Sequence, residues 1–306
     1  MPPASTPQRP FGRMLTAMVT PFRADGSLDE KAAAALAVEL VDLGNDGLVV
    51  NGTTGEAPTT TDEEKERLLR AVVDAVGHRA HVLAGVGTND THHSIELART
   101  AEKVGVSGLL VVTPYYNKPP QSGLEAHFRA VADATGLPVM LYDIPGRAGV
   151  AIASDTLVRL SEHPHIVANK DAKGDLWAAQ QVMSRCELVY YSGADEMNLP
   201  LLAVGAVGAV SVTGHLVADR IRAMILAFEA GDVELARELN DELVPVTEAI
   251  MFRTQGVIAV KAALELAGRP GGGALRLPLL PMPAADRHAL EQSLADGGVT
   301  DFDFLA

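Results

Sequence analysis

The chain has 306 residues, 47% hydrophobic and 21% charged, and its 25 Lys and Arg against 39 Asp and Glu give a net charge of −14. That is ample apolar material for a sizeable core, which excludes a disordered chain, and the acidic balance without a basic cluster excludes a nucleic-acid partner, whose counterions only Lys and Arg displace. Cys186 is the only cysteine, which rules out an intrachain disulfide or a cysteine-based metal site and fits the reducing cytoplasm.

Residues 1–13 open with MPPASTPQRP, rich in proline and lacking the apolar run of a signal peptide, and are expected to form a mobile tail. Short apolar, β-branched runs then recur: MLTAMVT (14–20), GLVVN (47–51), HVLAGV (81–86), GLLVVT (108–113), PVMLYD (138–143), HIVANK (165–170), ELVYY (187–191) and GAVSVT (208–213). Each reads as a strand and each is followed by a polar-led helical pattern. Ser27 with Glu30, Thr61 with Glu64, and Ser122 with Glu125 have the spacing of capping boxes, and Gly44, Gly77, Gly105 and Gly136 stand where left-handed residues would end helices. The stretch 197–218 lacks Asp, Glu, Lys and Arg, but its glycines, Pro200 and His215 predict a helix end and a buried strand, with no membrane span.

Eight such units over 14–231 predict an α/β fold, a closed (β/α)8 TIM barrel; an open doubly wound sheet is the other arrangement the pattern permits. The eighth helix is expected over 218–231, and further helices over 233–252, 256–268 and 284–295 form a C-terminal helical appendage (232–306), interrupted by a Gly- and Pro-rich loop at 269–283.

A barrel assembles its site at the C-terminal ends of its strands, where this chain places NGTTGE (51–56), TPYYNKPP (113–120), YDIPGR (142–147) and NKD (169–171). Alternation along HIVANK puts Ile166, Ala168 and Lys170 on one face. An amine held inside the barrel would lose its proton more readily and could attack a keto group as a Schiff-base nucleophile; a buried ion pair with Asp171 is the alternative. Tyr142 and Thr53 could relay protons, and Arg147, after a Pro-Gly turn, could grip a carboxylate. The pairs His92/His93 and His163/His165 have no metal-binding geometry, so no metal is expected.

GTTGE (52–56), TPYYNKP (113–119), YDIPGR (142–147) and the lysine of NKDA (169–172) together resemble the dihydrodipicolinate synthase family, over nearly the whole chain. The resemblance implies a cofactor-free enzyme of lysine (diaminopimelate) biosynthesis, in which Lys170 forms an imine with pyruvate that condenses with L-aspartate 4-semialdehyde. It implies a relay of Thr53, Tyr142 and a Tyr116 contributed by a neighbouring subunit, with Thr54 on the pyruvate carboxylate, Arg147 on the semialdehyde carboxylate, and Val210 lining the site through its carbonyl. It further implies a homotetramer built as a dimer of tight dimers. Sister N-acetylneuraminate lyases and 2-keto-3-deoxy sugar acid aldolases, which usually lack an arginine like Arg147, are the alternative activity; an inactive paralogue is another.

Two features depart from the family pattern. Asn169 precedes the lysine where an apolar residue is usual, and Lys173 brings a second positive charge that could favour the neutral amine of Lys170. Regulated relatives bind lysine between subunits, and Asn89 and Tyr115 fit that site. Ala57, Asp62, Lys65 and His93 depart from it, so feedback by lysine is expected to be weak or absent.

Overall fold

The computed structural model describes residues 9–299. Eight parallel strands close into a barrel: β1 (Met14–Ala17), β2 (Gly47–Val50), β3 (His81–Gly85), β4 (Gly108–Val112), β5 (Val139–Asp143), β6 (Ile166–Asp171), β7 (Val189–Ser192) and β8 (Gly208–Ser211). β8 pairs with β1, Val210 opposite Leu15, so the sheet has no edge and the open arrangement is excluded. Outside it lie α1 (Glu30–Asp42), α2 (Asp62–Val76), α3 (Thr91–Val104), α4 (Gln121–Ala132), α5 (Pro145–Ala148), α6 (Ser154–Leu160), α7 (Leu176–Met183), α8 (Asn198–Val204) and α9 (Gly214–Glu229). Three further helices follow: α10 (Val233–Met251), α11 (Gly256–Leu266) and α12 (Ala284–Asp296). No single helix among the described residues is long and apolar enough to cross a membrane.

Alternation along buried strands makes two cores. Leu15, Val49, Leu83, Met140, Ala168 and Val210 fill the barrel, while Leu48, Val82, Leu109, Leu141 and their neighbours meet the helices. Of the expected tail, residues 1–8 lie outside the described residues; Arg9 to Arg13 are packed. Phe11 is buried under the barrel floor, its N–H 3.3 Å from the Tyr191 hydroxyl, and Arg13 pairs with Glu229 at 2.9 Å.

Thr61 and Glu64 form the expected capping box of α2, and Gly105 ends α3 at φ +90°. Ser27 instead bonds to Asp25, leaving Asp29 to cap α1. Glu125 turns to Arg129 and Arg159, and α4 starts after Pro120 without a side-chain cap, because two guanidinium partners outweigh one backbone N–H. Gly77 closes α2 in the right-handed region at φ −60°, and Gly136 lies beyond the end of α4 at Ala132, donating to Glu102. The last barrel helix begins four residues earlier than expected, at Gly214, with a break at Val217.

Candidate active site

At the C-terminal rim, β5 and β6 align Tyr142 directly with Lys170. Both point inward, and Lys170 Nζ lies 4.2 Å from the centroid of the Tyr142 ring. Lys170 is only 3% exposed, and among the described residues no carboxylate lies within ion-pair distance of it. The alternative pairing with Asp171 is absent because Asp171 leaves the strand on the opposite face, where its Oδ1 accepts from the Lys173 backbone N–H at 2.9 Å.

Burial lowers the Lys170 pKa to about 8; the carboxylate of Asp195 opposes that shift and the nearby Arg147 guanidinium adds to it. The free amine is thus available to about one lysine in ten at pH 7, against about one in 10³ for a solvated lysine. Lys173, a second positive charge close in sequence, does not provide this electrostatic help. Its ammonium instead sits 3.2 Å from Asp143 Oδ2, because the chain turns outward after Asp171; Arg147 takes that role. Burial also raises the Tyr142 phenol to about 12, against the pull of Arg147 and of hydrogen bonding with Thr53. Tyr142 is therefore a protonated donor at neutral pH, as a relay requires.

The room for Lys170 comes from Gly193, directly after β7. A Cβ there would stand 2.7 Å from Lys170 Cγ and 2.9 Å from Cε, so any larger residue would push the lysine side chain aside.

Thr53 and Thr54 lie on the turn after β2, which is bent by left-handed Asn51 (φ +60°) and Glu56 (φ +53°). The Glu56 carboxylate anchors this turn. It accepts from Lys261 Nζ of α11 at 2.5 Å and from the Arg276 backbone N–H at 3.0 Å, while the Arg276 guanidinium pairs with Glu64 at 2.6 Å. The loop expected at 269–283 thus fastens the C-terminal helices to the rim. Asp195, just past β7, performs a similar task for β8: its carboxylate accepts from the Ser211 hydroxyl and from the N–H groups of Val212 and Thr213, both at 2.9 Å.

Sequence reasoning did not single out Glu56, Asp195, Gly193 or Lys261 as parts of the site. The one available signal was Lys261, a charge set in the middle of the largely apolar helix GVIAVKAALEL, whose other charged residue, Glu265, stands near its end.

A cavity of about 540 Å³ opens over the rim, lined among others by Thr53, Tyr142, Arg147, Asn89, Tyr115 and Tyr116. Arg147 stands exposed on α5, and Val210 is fully buried within the barrel, in the same interior cluster as Tyr142. Thr54 is buried in its turn at 9% exposure. Tyr116 does not join the cluster in its own chain: it projects at φ +73° and is 88% exposed. In the outer arm of the cavity, Asp62 pairs with His93 at 2.9 Å and Lys65 donates to the Thr60 carbonyl at 2.5 Å. Asn169 is fully buried on the outer face of β6, where neither amide atom finds a hydrogen-bond partner among the described residues.

Residues 10–296 match the Dihydrodipicolinate synthetase family. The 4-hydroxy-tetrahydrodipicolinate synthase 2 of Streptomyces coelicolor is 64% identical over 299 residues, 98% of this chain and 99% of its own. The 4-hydroxy-tetrahydrodipicolinate synthase of Kineococcus radiotolerans is 62% identical over 296 residues, 97% of this chain and 96% of its own. Among solved structures, dihydrodipicolinate synthase from Bacillus anthracis superposes with a TM-score of 0.90 at 45% identity, covering 93% of this chain and 98% of that one. The Cyanidioschyzon merolae enzyme with lysine bound gives 0.92 at 40% identity, covering 95% of this chain and 100% of that one.

Proposed function

The chain belongs to the dihydrodipicolinate synthetase family and has the activity of a 4-hydroxy-tetrahydrodipicolinate synthase, a Schiff-base-forming lyase of lysine biosynthesis; on that premise we propose how its residues condense pyruvate with L-aspartate 4-semialdehyde. The observation that carries the reading is a buried lysine with no carboxylate partner among the described residues and a pKa near 8, set against a protonated tyrosine.

Lys170 Nζ attacks the keto carbon of pyruvate, the carbonyl oxygen leaves as water, and an imine forms. Loss of a methyl proton gives the enamine, whose carbon adds to the aldehyde of the second substrate. The amine of that substrate then attacks the imine carbon, closing the ring and releasing Lys170. Tyr142, hydrogen-bonded with Thr53, delivers and recovers protons, and Tyr116 of a neighbouring subunit completes the relay. Its exposure and left-handed backbone fit a side chain held out toward a second copy. Thr54 holds the pyruvate carboxylate, Val210 lines the site through its carbonyl, and the covalent imine makes a separate cofactor unnecessary. The assembly is a homotetramer of two tight dimers, working in the cytoplasm, whose reducing pool suits the free thiol of Cys186.

Arg147 binds the semialdehyde carboxylate and separates this activity from that of the sugar-acid lyases. Arg147→Ala should lower kcat/KM for the semialdehyde by about 10²-fold, the scale of a lost charge-assisted bidentate contact, while pyruvate is still trapped on Lys170. Because the guanidinium lowers the Lys170 pKa, its removal should also move the acid limb of the imine-formation profile to higher pH. An unchanged limb together with unchanged kcat/KM would remove Arg147 from the site.

Lysine should inhibit this enzyme weakly or not at all. A bound lysine would bring its ammonium toward a wall that already carries the amine of Lys65 and where Asp62 is engaged by His93. Turnover measured with submillimolar lysine is the check, and clear inhibition there contradicts this reading.

A further inference from the structure

On the outer face of the same two strands lies a set of ionisable groups that the reaction steps do not use. Asp143 follows Tyr142 on β5 and Asp171 follows Lys170 on β6, and the register that pairs Tyr142 with Lys170 pairs the two aspartates next along. They are 0% and 1% exposed. Lys173 is the cation that faces both. Its Nζ lies 3.2 Å from Asp143 Oδ2 and 3.5 Å from the Ile152 carbonyl, and its backbone N–H donates to Asp171 Oδ1. Asp143 Oδ1 accepts from the Ile152 N–H at 3.1 Å, and Asp171 Oδ1 accepts a second bond, from the Gly174 N–H at 3.3 Å. The other facing groups are Asp175, ahead of α7, and Tyr190 from β7, whose hydroxyl feels both carboxylates. Burial raises Asp143 to about 6 and lifts Asp171 above its usual range, while Lys173 pulls both back.

We propose that Lys173 is a positioning residue for the condensation: its ammonium offsets the charge of two buried carboxylates whose repulsion would otherwise part the ends of β5 and β6, and so keeps Tyr142 against Lys170 on the inner face. This rests on the assignment of Lys170 and Tyr142 above. The coupling is short, because each aspartate is bonded in sequence to the residue it would displace. It also has a direction, because the repulsion exists only while both carboxylates are charged.

The test is the rate of pyruvate imine formation, followed by borohydride trapping at about pH 6 and about pH 8, for the parent and Lys173→Met proteins. At pH 8 the variant should be slower by about tenfold, the scale of a small misplacement at a catalytic centre. At pH 6, where the uncompensated pair takes up a proton, the ratio to the parent should return to within about twofold. Adding Asp143→Asn, whose amide oxygen can still accept from Ile152, should restore the rate at pH 8. A loss that is equal at both pH values, a loss that Asp143→Asn does not relieve, or no loss at all overturns the proposal. If Lys173→Met does not fold, the double variant is read alone: it should trap pyruvate at near the parent rate, and a deficient double variant overturns the proposal. Failure of the parent itself to trap pyruvate would defeat the Lys170 assignment instead.

Discussion

Lys170→Ala should lose turnover by at least about 10³-fold and form no pyruvate adduct under borohydride, because the variant has no amine to make the covalent intermediate. The same protein should fold normally. The folded chain holds the Lys170 proton less tightly than the unfolded chain, since its pKa falls from 10.5 to about 8. A lysine with a depressed folded pKa works against stability while it is charged; its unfavourable contribution is full below about pH 8 and fades as pH rises toward 10.5. Near neutrality, then, removing the amine removes a destabilising charge together with some packing. Peptide mass mapping after trapping gives the decisive reading: an adduct at residue 170 in the parent and none in the variant. An adduct on another lysine in both proteins would move the nucleophile elsewhere.

Lys261→Met should produce the largest loss of stability. Lys261 and Glu56 are 0% and 1% exposed at their side chains and 2.5 Å apart. Methionine roughly matches the stem in size, but it leaves Glu56 charged in a dry setting with one N–H partner, from Arg276. Breaking one side of a buried pair costs about 3–5 kcal/mol, read as a lower midpoint in denaturant unfolding at neutral pH. The Glu56 turn also carries Thr53 and Thr54, so activity should fall in step. Changing both residues, Lys261→Met with Glu56→Gln, removes the stranded charge and should recover most of the lost stability. A single variant within about 1 kcal/mol of the parent would show that the pair anchors nothing, since that is the range of exposed ion pairs.

What the sequence made legible follows the reach of each interaction. The eight strands could be read because buried parallel strands are written as short continuous apolar runs, and closure followed from their number and spacing. Alternation along HIVANK rightly groups Lys170 with Ala168, which lines the barrel, but not with Ile166, which lies in the outer core because the register shifts between Val139 and Met140. The capping box at Thr61 is equally local and stands as read. Ser122 with Glu125 has the same local pattern, yet Arg159, 34 residues on, claims Glu125. The three-residue spacing of Lys170 and Lys173 permits an influence of one on the other but does not say where Lys173 points. A turn after Asp171 sends its side chain to the opposite face, and spacing alone carries no such information. The Glu56 and Lys261 pair spans 205 residues, and only the folded barrel brings its ends together. Asp195 and Gly193 act on Lys170 from just beyond the end of the neighbouring strand, a relation that depends on register.

The central claim is that this barrel uses Lys170 to join pyruvate to L-aspartate 4-semialdehyde. It is tested most directly by turnover of that substrate pair in a reductase-coupled assay, with Lys170→Ala as the control and sugar-derived aldehydes as competing acceptors. The account requires turnover with the semialdehyde, loss of that turnover in the variant, and little reaction with the sugar aldehydes. Folded parent protein that traps pyruvate yet prefers a sugar aldehyde would contradict it.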